Sequence, residues 1–236
     1  MSKTTSYLIC LLLPFFAASC SIPSSLVEVP MMQQKGDAMV SAGFSYPLGV
    51  CVSGAYSPVN HLALQADAEF SFYTPTDVSV YPFNTHLSLG YYHKFGQHWV
   101  LENYYGGGYG QKNTHLTVEP YPYRSGFNAN AFTQINFGAV NLKGNGEVGI
   151  AFKAAYYYYD SPITYALFNT NREITGTYSC PTTGHSIVLT PVFFFRFGWE
   201  HIRLGLQVNG NHNLTLSGSP DTQYPFNVIL SVMYRF

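Results

Sequence analysis

The sequence predicts an all-β chain, a single antiparallel transmembrane up-and-down β-barrel of about ten strands. The last eleven residues carry the first sign: Phe226, Val228, Leu230, Val232, Tyr234 and Phe236 share one face, and Asn227, Ile229, Ser231, Met233 and Arg235 share the other. That period of two suits a strand with lipid on one side and a polar lumen on the other. Composition carries the second: aromatics are 17% of residues and charges 10%, against about 25% charged in a soluble globular domain. A soluble ten-stranded sandwich would also alternate, but its outward faces need more charge than this chain has. Third, after the amino terminus no apolar run approaches the roughly 18 residues of a membrane helix, whereas barrel strands meet lipid only at alternate residues.

The elements follow in order. Lys3 precedes the apolar run Tyr7 to Ala18, and small residues follow. This is the layout of a secretory signal peptide over residues 1–19, too short for a membrane span. Ala17-Ala18-Ser19-Cys20 resembles a lipobox in which Cys20 becomes an acylated first residue, with Ala17 where Leu is usual. Ordinary cleavage near Ser19, with Cys20 incidental, is the competing reading. One acyl anchor is marginal alone, so a barrel remains the main attachment. Residues 20–35, with Pro and Ser, read as a short periplasmic tether, and 36–236 as the barrel.

Alternation bounded by turn residues gives ten candidate strands, at 37–46, 49–57, 61–73, 84–95, 98–111, 127–138, 146–159, 186–197, 200–210 and 225–236. In the third, Leu62, Leu64, Ala66, Ala68, Phe70 and Phe72 oppose Gln65, Asp67, Glu69 and Ser71. The seventh sets Val148, Ile150, Phe152, Ala154 and Tyr156 against Glu147, Lys153 and small residues; in the ninth, Ile202 to Val208 oppose Arg203 to Asn209. Links at 57–60, 95–98, 138–145 and 198–200 are short. Those at 74–83, 112–126, 160–185 and 211–224 are long, and 162–173 has room for one or two helical turns. Short turns at one end and long loops at the other are the barrel plan. An even count brings both ends of the array to the short-turn side.

A charge facing lipid costs about 2–4 kcal/mol at the bilayer midplane. Asp67, Glu69, Lys94, Glu102, Lys153, Arg196, Arg203 and Arg235 are therefore expected to face the lumen. Buried charges need partners, and one expected set places Asp67, Glu69 and Glu102 against Lys153, Arg196 and Arg203.

Two resemblances bear on the address. The tail is similar to the terminal strand of bacterial outer-membrane barrels, which implies that Tyr234 and Phe236 are read by the barrel-assembly machinery. The stretches Glu28-Val-Pro-Met, Lys35-Gly-Asp-Ala-Met-Val-Ser-Ala-Gly, Gly54-Ala-Tyr-Ser-Pro-Val-Asn-His-Leu-Ala-Leu and Glu102-Asn-Tyr-Tyr-Gly-Gly-Gly-Tyr-Gly resemble small outer-membrane β-barrel proteins of Bacteroidota. The resemblance implies a fold, a bacterial outer membrane and its lipid as surroundings. It implies no reaction.

The chemistry expected is sparse. Gly106-Gly-Gly-Tyr-Gly110 lacks the Lys-Ser/Thr of a phosphate loop and reads as strand glycines relieving crowding. Eight histidines show no paired ligand spacing, so no metal or cofactor is expected; His61, His98 and His201 fall at short turns. The net charge of −1 gives no reason to expect nucleic acid. Omptin proteases are also ten-stranded barrels, and an outer-membrane hydrolase would draw on Asp77, His86, Asp160, His185 or His212. None of these sits in a matching motif. Tyr156 and Tyr158 read as aromatic-belt residues, and loops 112–126 and 160–185 as the places where an extracellular ligand would bind. Cys51 and Cys180 are either a bridge or two inert thiols. The expected role is non-enzymatic, structural or loop-mediated, around a largely plugged lumen, with a narrow small-solute channel as the alternative.

Overall fold

Alternation along the chain emerges as a closed sheet in the computed structural model, which describes residues 27–46, 49–71, 78–80, 83–116, 123–142, 145–160, 162–168, 174–180, 183–217 and 226–236. The strands are β1 (Ala38–Tyr46), β2 (Gly49–Val59), β3 (Leu62–Ser71), β4 (Val78–Val80), β5 (Phe83–Phe95), β6 (Trp99–Leu116), β7 (Tyr123–Leu142), β8 (Gly146–Asp160), β9 (Ile163–Phe168), β10 (Ile174–Cys180), β11 (Thr183–Gly198), β12 (Ile202–Gly210), β13 (His212–Ser217) and β14 (Phe226–Arg235). Ten of them form the wall, in the circuit β1-β2-β3-β5-β6-β7-β8-β11-β12-β14. Pairing of β14 with β1 closes the circuit, and every pair is antiparallel. There is no helix among the described residues.

The long-loop side differs from the sequence expectation. The stretch 162–173, read as room for helical turns, holds β9, which forms a hairpin with β10 and joins the wall through Tyr123 and Arg124 of β7. β13 continues β12 along β11, and β4 lies along the end of β6. The β9–β10 hairpin is local, whereas β4, β13 and the contact of β9 with β7 join residues more than 20 apart in sequence, which a local period cannot reveal.

Register fixes the barrel's size. Followed round the wall from Arg203, the paired positions run Met233, Ser41, Ser53, Asp67, His86, Gly108, Asn130, Tyr157 and Ser186, then return to the starting side at Thr215, twelve residues further on. Ten strands with that stagger, at ordinary spacing, tilt by roughly 40° and enclose a backbone cylinder about 10 Å in radius.

The facing is that of a soluble protein turned inside out. Phe44 and Leu87 are each 70% exposed and Leu230 60%, while Glu102 and Glu147 are fully buried. The exposed band is apolar through its middle, with Val52, Leu64, Leu87, Ile135, Ile150, Leu206 and Leu230 beside Phe44, Phe152, Phe193 and Phe195. Towards the short turns it carries Tyr91, Phe95, Trp99, Phe137, Phe197, Trp199, Tyr234 and Phe236, and towards the long loops Tyr46, Phe70, Phe83, Tyr109, Phe127 and Tyr156. Glycines make room for rings indoors. A Cβ on Gly90 would sit 2.3 Å from the Tyr104 ring, and one on Gly106 would sit 2.4 Å from the Leu87 carbonyl oxygen and 2.6 Å from Phe132.

Three short turns share one device. His61, His98 and His201 each set ring Nδ1 about 3.0, 3.0 and 2.9 Å from the carbonyl of Tyr92, Val140 and Arg235. The backbone N–H of each of those residues in turn donates to the carbonyl of the same histidine. Each clasp ties a turn to the strand across the wall. His61 also takes φ +68°, in the left-handed region the tight turn requires.

Candidate functional site

The site is the short-turn half of the lumen, where the chain fills its own barrel. Residues 20–35 were expected to form a short periplasmic tether. Their described part instead enters the lumen: Val27, Val29, Met31 and Met32 are fully buried. Val27, Val29 and Met31 pack with Val100, Val140, Ala151, Val192 and Phe194, while Met32 packs with Met39, Ala63, Tyr92, Tyr104 and Met233. The Met31 methyl lies 2.8 Å from where a Cβ on Gly138 would stand. Sequence reasoning missed this because an apolar stretch with Pro30 also describes a linker.

An extended segment in a barrel has no strand partner, so its peptide groups must be met by side chains. Gln207 Nε2 donates to the Val27 carbonyl at 2.6 Å, and Gln134 Nε2 to that of Glu28 at 2.7 Å. Arg196 Nη1 donates to the Val29 carbonyl at 2.6 Å, and Arg235 Nη2 to those of Pro30 and Met31 at 2.8 Å each. In the other direction, the Met32 N–H donates to Glu102 Oε1 at 2.6 Å. Pro30 has no N–H to satisfy. At the exit, Asp37 accepts from the N–H groups of Gln33 and Gln34, and Lys94 Nζ donates to Gln33 Oε1 at 3.0 Å.

Charge gathers round that path. Glu147 accepts from Arg196 at 3.2 Å, from Arg235 at 3.1 Å and from Arg203. Glu28, carried in by the segment, accepts from Arg196 Nη2 at 3.1 Å and from Ser41 at 3.3 Å. Three guanidinium groups thus face two carboxylates, and the segment's carbonyls take further donors. A planar five-donor guanidinium suits that combined load.

The expected set of partners is therefore rearranged. Arg196, Arg203 and Arg235 do come together, but round Glu147 and Glu28 rather than Asp67, Glu69 and Glu102. Glu147 was legible on the polar face of its strand, and Glu28 was hidden in the supposed tether. Glu102 is held by neutral donors, Asn136 Nδ2 at 2.8 Å and Tyr104 OH at 3.3 Å, besides the Met32 amide. Asp67 pairs with His86 at 2.6 Å. Glu69 accepts from Ser45 at 3.4 Å, and Lys153, 4.1 Å from the Phe132 ring centroid, lies within the electrostatic reach of Asp67 and Glu69, two of its expected partners.

The remaining candidates fall elsewhere. His185 stacks on Tyr156 on the outer wall, away from the lumenal Asp67–His86 pair. That pair orients a histidine as a base would need, and among the described residues no hydroxyl or thiol is bonded to His86 Nε2. Cys51 and Cys180 are free thiols, so the bridge reading is corrected. Among the described residues no group of three His, Cys, Asp or Glu side chains is placed to hold a metal. Tyr234 and Phe236 are exposed on the outer wall, and the Phe236 N–H donates to the Ala38 carbonyl at 2.9 Å. Cys20, residues 1–19, Asp77 and most of loop 112–126 lie outside the described residues or their described side chains.

No protein-family model and no curated protein matches the chain. Among solved structures it is similar to the translocator domain of the autotransporter NalP from Neisseria meningitidis, with 10% identity and a TM-score of 0.53, over 88% of this chain and 91% of that one. The likeness is one of fold. It joins the closed circuit and inverted facing in defining a ten-stranded antiparallel barrel of the membrane type.

Proposed function

We propose that this chain is an integral outer-membrane barrel whose lumen is closed by its own residues 27–33, serving a non-enzymatic surface role. The short turns face the periplasm and the long-loop end faces outward, offering structural support or ligand contact through the loops at 112–126 and 160–185. The observation that carries the reading is the pairing of an apolar exterior with a short-turn half of the lumen where Arg196, Arg235, Gln134, Gln207 and Glu102 bind one buried segment. An apolar band between two aromatic rings fits a bilayer. Inside, a cylinder about 10 Å in radius that also holds side chains and an extended strand leaves little bore. Outer-membrane lipid surrounds the band, and Tyr234 and Phe236 supply the carboxy-terminal signal to the assembly machinery.

Planar-bilayer recording tests closure. The full chain should give no steady single-channel steps, and a variant lacking residues 27–33 should give them. Steady steps from the full chain would favour the narrow-channel alternative instead.

A further inference from the structure

The outer wall is not evenly clothed. A groove of about 810 Å³ crosses it over β1, β2, β3, β5 and β6. In one row of paired positions Val40, Gly54, Ala66 and Leu87 stand side by side, two large side chains with two small ones between them. Three strand spacings separate the borders, about 14 Å. Gly54 is not a glycine that packing demands. A Cβ there would meet nothing nearer than the Met39 carbonyl oxygen at 3.6 Å, an ordinary contact, whereas Gly90 and Gly106 are pressed by rings and backbone. What its missing side chain does is deepen the groove.

Chemistry changes at the short-turn end. Tyr56, Leu64 and Phe236 line that end of the groove, and the turn between β2 and β3 beneath it carries His61. The His61 ring stacks on Tyr91 at 5.6 Å and on His93 at 5.7 Å. Lys35 is brought to the same turn by its backbone N–H, which donates to Asn60 Oδ1 at 3.1 Å. Asp37, the carboxylate of that stretch, is buried and taken up by the Gln33 and Gln34 amides. A permanent cation and two imidazoles, which bear N–H donors and carry charge when protonated, thus gather under an apolar groove. His93 stands four residues from Leu89, a lining residue. That is about 13 Å along the strand and about 10 Å in height at the tilt derived above.

We propose that this groove is a phospholipid site. One acyl chain lies along Gly54 and Ala66, and the headgroup phosphate is held at the short-turn rim by Lys35, His61 and His93. An inner-leaflet chain has about 15 Å to run, half the hydrocarbon core, which takes it from the rim to the level of Leu87. A second barrel fits the groove poorly, because a convex wall would rest on Val40 and Leu87 without reaching Gly54. A flexible chain reaches the floor and gains dispersion contacts along both borders. The inference rests on reading the wall as lipid-facing with the short turns towards the periplasm, and its test separates the two.

Full-length protein in mild detergent is titrated with dioleoyl phosphatidylglycerol, and native mass spectrometry reads the fraction of barrels that retain one lipid. Wild type should saturate at a single lipid. Gly54→Leu fills the floor and should raise the half-saturating concentration by about tenfold; Ala66→Leu repeats the test from the next strand. Lys35→Gln combined with His93→Gln should raise it by about threefold, as exposed charge contacts are weak. Equal half-saturation for wild type and both floor variants, in barrels that run compact on an unboiled gel, overturns the groove while the barrel reading stands. Oleate retained as strongly as the phospholipid, or no effect of the Lys35 and His93 changes, overturns the headgroup contact. A wild-type dimer that Gly54→Leu turns into a monomer gives the groove to a second copy instead. A wild-type chain with no compact species overturns the barrel reading and this site with it.

Discussion

Glu147 is the residue on which the lumenal cluster turns. It is fully buried and accepts from three arginines, so its loss leaves cations together in a low-dielectric interior. Breaking one partner out of a buried ionic set costs about 3–5 kcal/mol. Glu147→Ala should lower the unfolding free energy from a urea titration by an amount in that range, and an unchanged free energy would show that water reaches the arginines. The turn histidines work at smaller scale. Each clasp contributes one side-chain hydrogen bond, so His98→Ala should cost about 1 kcal/mol, with added zinc leaving wild type and variant unchanged. A zinc-dependent rise in midpoint would restore the metal reading that the spacing argued against. The turn positions were visible in the sequence, but the clasp was not, because its acceptor lies on a strand 31 to 42 residues away.

Elements differ in how much they owe to their own sequence. Strands such as β3 and β14 declare themselves, since a period of two, a bounding turn and inward charge agree within a dozen residues. The outward face should accordingly obey depth. Leu230→Arg, in the middle of the band, should destabilise by about 2–4 kcal/mol, and Tyr46→Arg near the long-loop rim by about 0–1 kcal/mol. Equal costs in a lipid-reconstituted unfolding titration would argue against a bilayer round the wall. The segment 27–33 is the opposite case. Nothing local marks it as buried, because its peptide groups are satisfied by Gln134, Gln207, Arg196, Arg235 and Glu102 from five separate strands. β9, β10 and β13 were likewise illegible, since they extend the wall within stretches that carry no clear period of two bounded by turn residues. Glycine at 106 was legible as a crowding relief, and the backbone carbonyl 2.4 Å from its absent Cβ makes the need specific. Gly106→Val should therefore prevent barrel formation, read as loss of the compact gel species.

At the scale of the molecule, two opposite solvents shape one sheet. Lipid selects the apolar band and its aromatic borders, and the lumen selects charge, amides and a polypeptide to spend them on. The tail predicted the first of these through Tyr234 and Phe236 outside and Arg235 inside. It said nothing of the second, because Arg235 finds Glu147 88 residues upstream and the carbonyls of Pro30 and Met31 more than two hundred upstream. Both follow from a closed barrel in a membrane, and the most direct test is migration of boiled and unboiled samples on a denaturing gel after outer-membrane fractionation. A closed barrel should appear in the membrane fraction and run faster unboiled than boiled. A protein that stays in the soluble fraction and migrates identically in both samples would contradict it.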